Sequence, residues 1–164
     1  MDVSIRKLEQ ADMAAVSAIY QCREVAENTS QLPYLSSSEI NQIFSQPDFY
    51  NLVAELDGQV VGQVTVFLTN KPRAKHSAAF GIAVHPDFHG RGVGKSLIDA
   101  TIEQCDNWLN IVRLELEVHG DNKVAISAYQ KAGFELEGEK RMAVFKNGRY
   151  ESLLVMARIN PSYL

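Results

Sequence analysis

The residues from Phe80 to Ser96, FGIAVHPDFHGRGVGKS, run from an apolar strand through a glycine-rich turn into the start of a helix. That order of elements builds an anion site. Glycines let the backbone turn without a side chain in the way, and the first amides of a helix have no intrahelical partner. Several N–H groups and the positive end of the helix dipole therefore converge on one point. A phosphate or pyrophosphate fits there, and spacing tests which kind of ligand carries it. The P-loop pattern requires a glycine five residues before the glycine of G-K-[ST]; Gly94-Lys95-Ser96 is present, but His89 holds that position and Gly90 is one residue out of register. The dinucleotide fingerprint G-x-G-x-x-G fails from Gly90, which would need glycine at Lys95, and from Gly92, which would need it at Leu97. Both nucleotide patterns are disfavoured.

A second motif follows about thirty residues on, DNKVAISAYQKAGF from Asp121 to Phe134. Asp121 or Asn122 suits a helix N-cap, Ala125, Ala128 and Ala132 keep one face thin, and Gly133 suits the residue just past the helix end. Before it, Arg113 to His119 alternates polar and apolar residues strictly, the pattern of a half-buried strand. Strand, turn and helix thus occur twice in succession. With these two motifs in this order, the chain resembles the GNAT acetyltransferases. Their acetyl-CoA site combines a [QR]-x-x-G-x-[GA] loop with a later N-x-x-A-x-x-x-Y-x-x-x-G-F segment. Gly92 and Gly94 match the first; Asn122, Ala125, Tyr129, Gly133 and Phe134 match the second; His89 stands where the family has Gln or Arg.

The resemblance implies roles residue by residue. Tyr129 corresponds to the tyrosine that protonates the departing CoA sulfur, and a phenol with an ordinary pKa near 10 keeps its proton at neutral pH. Asn122 corresponds to the asparagine near the pantetheine arm, and as an N-cap it would serve the fold as well. Pantetheine is expected beside the backbone of Ile82, Ala83 and Val84. The pyrophosphate is expected on the amides of His89, Gly90, Arg91, Gly92, Val93 and Gly94, with Lys95 nearby. For the base that frees the acceptor amine, Glu117 lies twelve residues before Tyr129, the offset assigned to a glutamate in ribosomal-protein alanine acetyltransferases. By alternation Glu117 points away from Leu116 and Val118, on the face shared with Glu115 and His119. Ordered water, His119 and His76 stay open as alternatives. His85 and His89 flank Pro86 in a loop, which suits surface histidines better than a zinc pair; no metal is expected.

The elements that must position these residues can be read along the chain. Val3 to Leu8 reads as a strand. Asp12 then caps a helix with Met13, Val16, Ile19 and Tyr20 on its apolar side. Asn28 to Ser38 is the longest irregular stretch, with Glu39 starting a short helix through Phe44. Leu52–Leu56 and Val60–Leu68 flank Asp57-Gly58, a hairpin dipeptide, and a strand spans about Ala78 to Val84. A helix is predicted from about Gly92 to Leu109, with Cys105 on its apolar seam and Trp108 as a core anchor. Asn147-Gly148 joins two last strands, about Glu139–Phe145 and Tyr150–Arg158. The expected fold is α/β (α+β), a single-domain GNAT fold over residues 1–164. Its mixed central sheet has about seven strands flanked by about four helices.

Composition bounds the rest. The 164 residues, 46% hydrophobic and 22% charged, suffice for one full core. The net charge of −4 with dispersed basic residues lacks the footprint of a nucleic-acid binder, and no helix carries the basic face of a membrane-surface segment. There is no apolar run near eighteen residues and no apolar leader after Met1, so a cytoplasmic location is expected. Cys22 and Cys105 receive no chemistry. Short segments at Asn28–Pro33, Asp106–Leu109, Asn147–Tyr150 and Met156–Arg158 resemble the bacterial L-amino-acid N-acetyltransferases within the family. The resemblance implies an acetyl-CoA-dependent transfer to a primary amine, a free amino acid foremost. N-termini of proteins or polyamines are the rival acceptors, and a non-catalytic acyl-CoA-binding module is the rival of another class. Asn28, Gln31 and Tyr34 are expected to border the amine. A homodimer is compatible with this reading.

Overall fold

The computed structural model describes residues 2–164. Seven strands form one sheet in the order β1-β2-β3-β4-β5-β7-β6. They are β1 Ser4–Lys7, β2 Phe49–Leu56, β3 Gln59–Phe67, β4 Ser77–Val84, β5 Arg113–His119, β6 Glu135–Lys146 and β7 Arg149–Ile159. Every neighbouring pair is antiparallel except β4 with β5. Helices α1 Met13–Tyr20, α2 Arg23–Glu27, α3 Ser37–Phe44, α4 Val93–Asn107 and α5 Lys123–Lys131 cover its faces. The expected seven-stranded mixed sheet is found. Four of the helices have eight residues or more, and α2, a single short turn, is an addition to the expected order.

Both hairpin dipeptides do what their residue types require. Asp57 and Gly58 have φ of 55° and 76°, and Asn147 and Gly148 have φ of 50° and 74°, the paired positive values of a two-residue turn that follows the strand twist. Ser36, rather than Glu39, opens α3: its Oγ accepts from the Glu39 amide at 3.1 Å and the Glu39 carboxylate accepts from the Ser36 amide at 3.2 Å. Asp12 makes no side-chain cap on α1. Its carboxylate is taken instead by the Arg6 guanidinium at 2.7 and 2.8 Å and by the Glu9 amide at 2.8 Å, tying β1 to the turn before the helix.

Two cores lie on opposite faces of the sheet. On one, Val93, Leu97, Thr101 and Cys105 recur at four-residue spacing along α4 and pack on Leu52, Val64, Phe80 and Leu116. Each fully buried Leu or Ile there contributes roughly 1.5–3 kcal/mol. On the other, Val16, Ile19 and Tyr20 of α1 and Ile40 and Phe44 of α3 cover Val53 and Ala83. Trp108 departs from its expected place. The helix ends at Asn107, the backbone turns out of register at Trp108 (φ −129°), and the indole stands 73% exposed with Nε1–H donating to Glu103 at 3.1 Å. Ile111 fills the core position beyond the helix end.

Candidate active site

The site begins where β4 and β5 part. They pair only over Ser77–Ala79 with Arg113–Glu115, although β4 runs on to Val84 and β5 to His119. Beyond Ala79 the sheet therefore opens into a wedge. Which groups face it follows from parity. The His85 amide donates to Val61 on β3 at 2.8 Å, so in this antiparallel ladder Ala83 and Gly81 also turn their N–H and C=O toward β3. Ile82 and Val84 turn theirs the other way, into the wedge. Of the three residues expected to receive pantetheine, Ile82 thus offers unpaired backbone and Val84 an unpaired amide, its carbonyl being met by His89 Nε2. Ala83 is committed to Gln63 and buries its methyl under α1.

At the open end of the wedge, Pro86–Phe88 forms a single 3-10 turn and the chain passes through His89, Gly90, Arg91 and Gly92 into α4. Gly90 and Gly92 have φ of 76° and 80°, a conformation that L side chains adopt at a cost. A Cβ on either would meet nothing within 4 Å, so these glycines serve the backbone conformation rather than internal packing. The amides of Gly90, Arg91 and Gly92 donate to no backbone acceptor among the described residues. With the orphan amides of Val93, Gly94 and Lys95 they form a row of donors at the N-terminus of α4. The Lys95 ammonium is drawn along the helix to Asp99 at 2.6 Å, and His89 contacts the Val84 carbonyl through Nε2 at 3.3 Å.

The start of α4 is set by a glycine that the motifs do not include. A Cβ on Gly62 of β3 would lie 2.9 Å from Leu97 Cδ1 and 2.9 Å from Val93 Cγ1. Only a bare backbone there lets the first turn of α4 sit this close to the sheet, and hence lets its amides meet the end of β4.

Tyr129 comes to the wedge from α5. Asn122 caps that helix, its Oδ1 accepting from the Ala125 amide at 3.3 Å, and Gly133 at φ 98° ends it. The Tyr129 ring is wedged edge-on between Phe80 and Phe134, with centroids 5.9 Å from each. Burial pushes its phenol up to about 12, so the hydroxyl stays protonated across the neutral range. It makes no hydrogen bond to the described residues and is free to donate.

Glu117, past the last β4–β5 pair, is exposed and held by Lys140 of β6 at 2.5 Å. The ammonium must let go before that carboxylate can take a proton from anything else. On the same face of the sheet, a cavity of about 210 Å³ is enclosed by α2, the loop after it, the end of β5 and the β6–β7 hairpin. Gln31 lines it. Asn28 does not: its Nδ2 donates to the Glu24 carbonyl at 3.1 Å and closes α2. Tyr34 stands 95% exposed outside it. The cavity wall holds charge of both signs, with Arg23 pairing with Glu27 at 3.1 Å and Lys146 reaching the Glu27 carbonyl and Asp121, each at 3.1 Å. His119 also lines it, 5% exposed.

Among the described residues, no cluster of three His, Cys, Asp or Glu is placed to hold a metal ion, and no helix is long and apolar enough to cross a membrane. The arrangement suits an extended thiol ester with a pyrophosphate: strand-like hydrogen bonding at Ile82 and Val84, anion donors at the start of α4, and a neutral phenol on α5.

Comparison with known proteins agrees with this geometry. The model of the acetyltransferase (GNAT) family matches residues 13–134. The chain is 40% identical over 159 residues to the L-amino acid N-acetyltransferase AaaT of Escherichia coli strain K12, an alignment that covers 96% of this chain and 98% of that protein. It is 27% identical over 166 residues to the spermidine N(1)-acetyltransferase of the same strain, covering 99% and 88%. The crystal structure of spermidine N-acetyltransferase from Vibrio cholerae, in complex with CoA and spermine, superposes with a TM-score of 0.88 at 25% identity, covering 98% of this chain and 97% of that one.

Proposed function

This chain belongs to the GNAT family of acetyltransferases, and from that premise we propose that it transfers the acetyl group of acetyl-CoA to the α-amine of a free L-amino acid. The observation that carries the donor half is the wedge between β4 and β5, with unpaired backbone on one wall and Tyr129 beside its mouth. Pantetheine hydrogen-bonds Ile82 and Val84 as an added strand would, and the pyrophosphate takes the amides from Gly90 to Gly94; the His89 amide, expected among them, is instead held by the Pro86 carbonyl at 3.3 Å. The open amide of Ile82 or Val84 is also the donor available to the thioester oxygen, and a donor fixed before reaction stabilises charge developing there by a few kcal/mol. Tyr129 supplies a proton to the departing sulfur. Asn122 fixes Tyr129 by capping its helix.

The acceptor half rests on the full-length likeness to an L-amino acid N-acetyltransferase and on the character of the cavity. Arg23 and Lys146 on its wall, each now paired with an acidic side chain, would meet a substrate carboxylate by exchanging that partner, and amino acids carry such a group whereas polyamines lack it. Incubation with acetyl-CoA and a panel of L-amino acids, polyamines and short peptides, followed by release of free thiol, tests this. Release with L-amino acids and little with polyamines is expected; the reverse order overturns the acceptor, and no release with any amine overturns catalysis in favour of a binding module.

A further inference from the structure

One buried polar side chain on the cavity wall takes no part in the transfer as drawn from Tyr129 and the β4 backbone. His119, the last residue of β5, is 5% exposed, and its Nδ1 has no hydrogen-bond partner. A buried nitrogen without a partner costs stability, and the ring that carries it lines the cavity. The ring lies on the same face of β5 as Glu117 but two residues further along, where it forms part of the wall with Gln31 and Lys146. Glu117 is not on that wall and is occupied by Lys140.

We propose that His119 is the base on the acceptor side, its imidazole taking the proton that leaves the attacking amine within the cavity bounded by Gln31 and Lys146. The proposal rests on the acetyltransferase reading and names a residue for the half of the reaction that Tyr129 does not serve. A base must be neutral before it acts. Burial, and after it the positive charge of Lys146 on β6, holds the imidazole below its ordinary value, against the opposing pull of Asp121 after β5, the Thr29 backbone and Glu151 on β7. Arg23 and Glu27 of α2, the other charges on the wall, pair with each other. The neutral amine nitrogen forms the C–N bond as the C–S bond breaks. One nitrogen proton passes to His119, Tyr129 gives its phenolic proton to the sulfur, and the proton on His119 returns through solvent to Tyr129. An ammonium substrate first loses one further proton to water.

His119→Gln keeps a polar side chain of similar reach but cannot act as a base near neutral pH. It is expected to lower kcat by about 10², to leave the KM for acetyl-CoA unchanged, and to narrow its deficit as pH rises and hydroxide competes. Lys146→Met removes the positive charge that opposes protonation of the ring, so the acidic limb of the kcat/KM profile should move to higher pH. Glu117→Gln should leave that limb in place. The assay uses whichever amine the wild-type protein accepts, so rejection of L-amino acids would overturn the acceptor and still leave His119 under test. A readout independent of turnover is the His119 imidazole resonance, which should report a neutral ring at pH 7 and move when the amine is added to the protein with CoA. A His119→Gln rate within about threefold of wild type across the pH range, a pH-dependent deficit confined to Glu117→Gln, or an imidazole resonance indifferent to the amine each overturns the proposal.

Discussion

The ring of Tyr129 on α5 meets the ring of Phe80 on β4 edge to face, with centroids 5.9 Å apart. Phe80 is the first residue of β4 beyond its last pair with β5. The contact therefore fixes the proposed acid at the point where the sheet opens. An edge-to-face pair of this kind contributes about 0.5–1.5 kcal/mol beyond its buried area and favours one ring plane.

Tyr129→Phe retains both ring contacts and removes only the donor. The fold and the affinity for acetyl-CoA should be unchanged while turnover falls by roughly 10². Rapid-mixing measurements that isolate the chemical step check this; an undiminished rate would remove Tyr129 from proton transfer.

Gly62→Ala puts a methyl where Val93 and Leu97 already lie 2.9 Å away. The Val93 and Leu97 side chains, or the turn of α4 that carries them, must give way, at a cost of about 1–3 kcal/mol. Because the anion donors travel with that turn, the KM for acetyl-CoA should rise more than the KM for the amine. A loss of thermal stability with both constants untouched would separate the glycine from the donor row.

Gln31 lines the cavity and Tyr34 stands outside it. Gln31→Ala is expected to raise the KM for the amine several-fold with little change for acetyl-CoA, and Tyr34→Ala to change neither. Steady-state kinetics with each substrate varied in turn distinguishes the two.

The Asp12 carboxyl is held below the usual carboxylate range, first by its hydrogen bonds to the Arg6 guanidinium and then by the Glu9 amide, against the effect of burial. A group depressed on folding contributes stability that is full above its unfolded pKa and is lost as pH falls through the folded value. Asp12→Asn should therefore cost about 1–2 kcal/mol at pH 7, a figure reduced because Arg6 is about a third exposed. The difference from wild type should shrink on acidification below pH 4. Denaturant unfolding at several pH values measures it; a difference constant down to pH 2 would locate the effect elsewhere.

The sheet, both hairpins, the glycine loop and the Asn122-to-Gly133 helix were legible in the sequence because each depends on local chemistry. Positive φ at Asp57, Gly58, Asn147 and Gly148 and a side-chain cap at Asn122 are properties of those residues, whatever surrounds them. What escaped depends on neighbours distant in sequence. Gly62 looks like any strand glycine until Val93 and Leu97 are laid over it. Gln63 and Thr65 alternate with valines as a solvent face would, yet α1 covers them, and they join Asn51 and the Tyr20 hydroxyl in a buried hydrogen-bonded cluster with contacts of 2.6–2.9 Å. Trp108 fits the helical period but falls one residue past the point where the helix stops. His119 shared its strand face with two glutamates, and only the packing of α2 and the β6–β7 hairpin sets it apart as buried.

The central claim is that acetyl-CoA docks as a strand on the open edge of β4. Amide hydrogen exchange, read residue by residue with and without the ligand, tests it most directly. Ala83 is already bonded to β3 and should exchange slowly in both states, whereas Ile82 and Val84 should exchange fast in the free protein and become protected when acetyl-CoA binds. Protection that appears elsewhere, with Ile82 and Val84 unchanged, would contradict the wedge as the donor site.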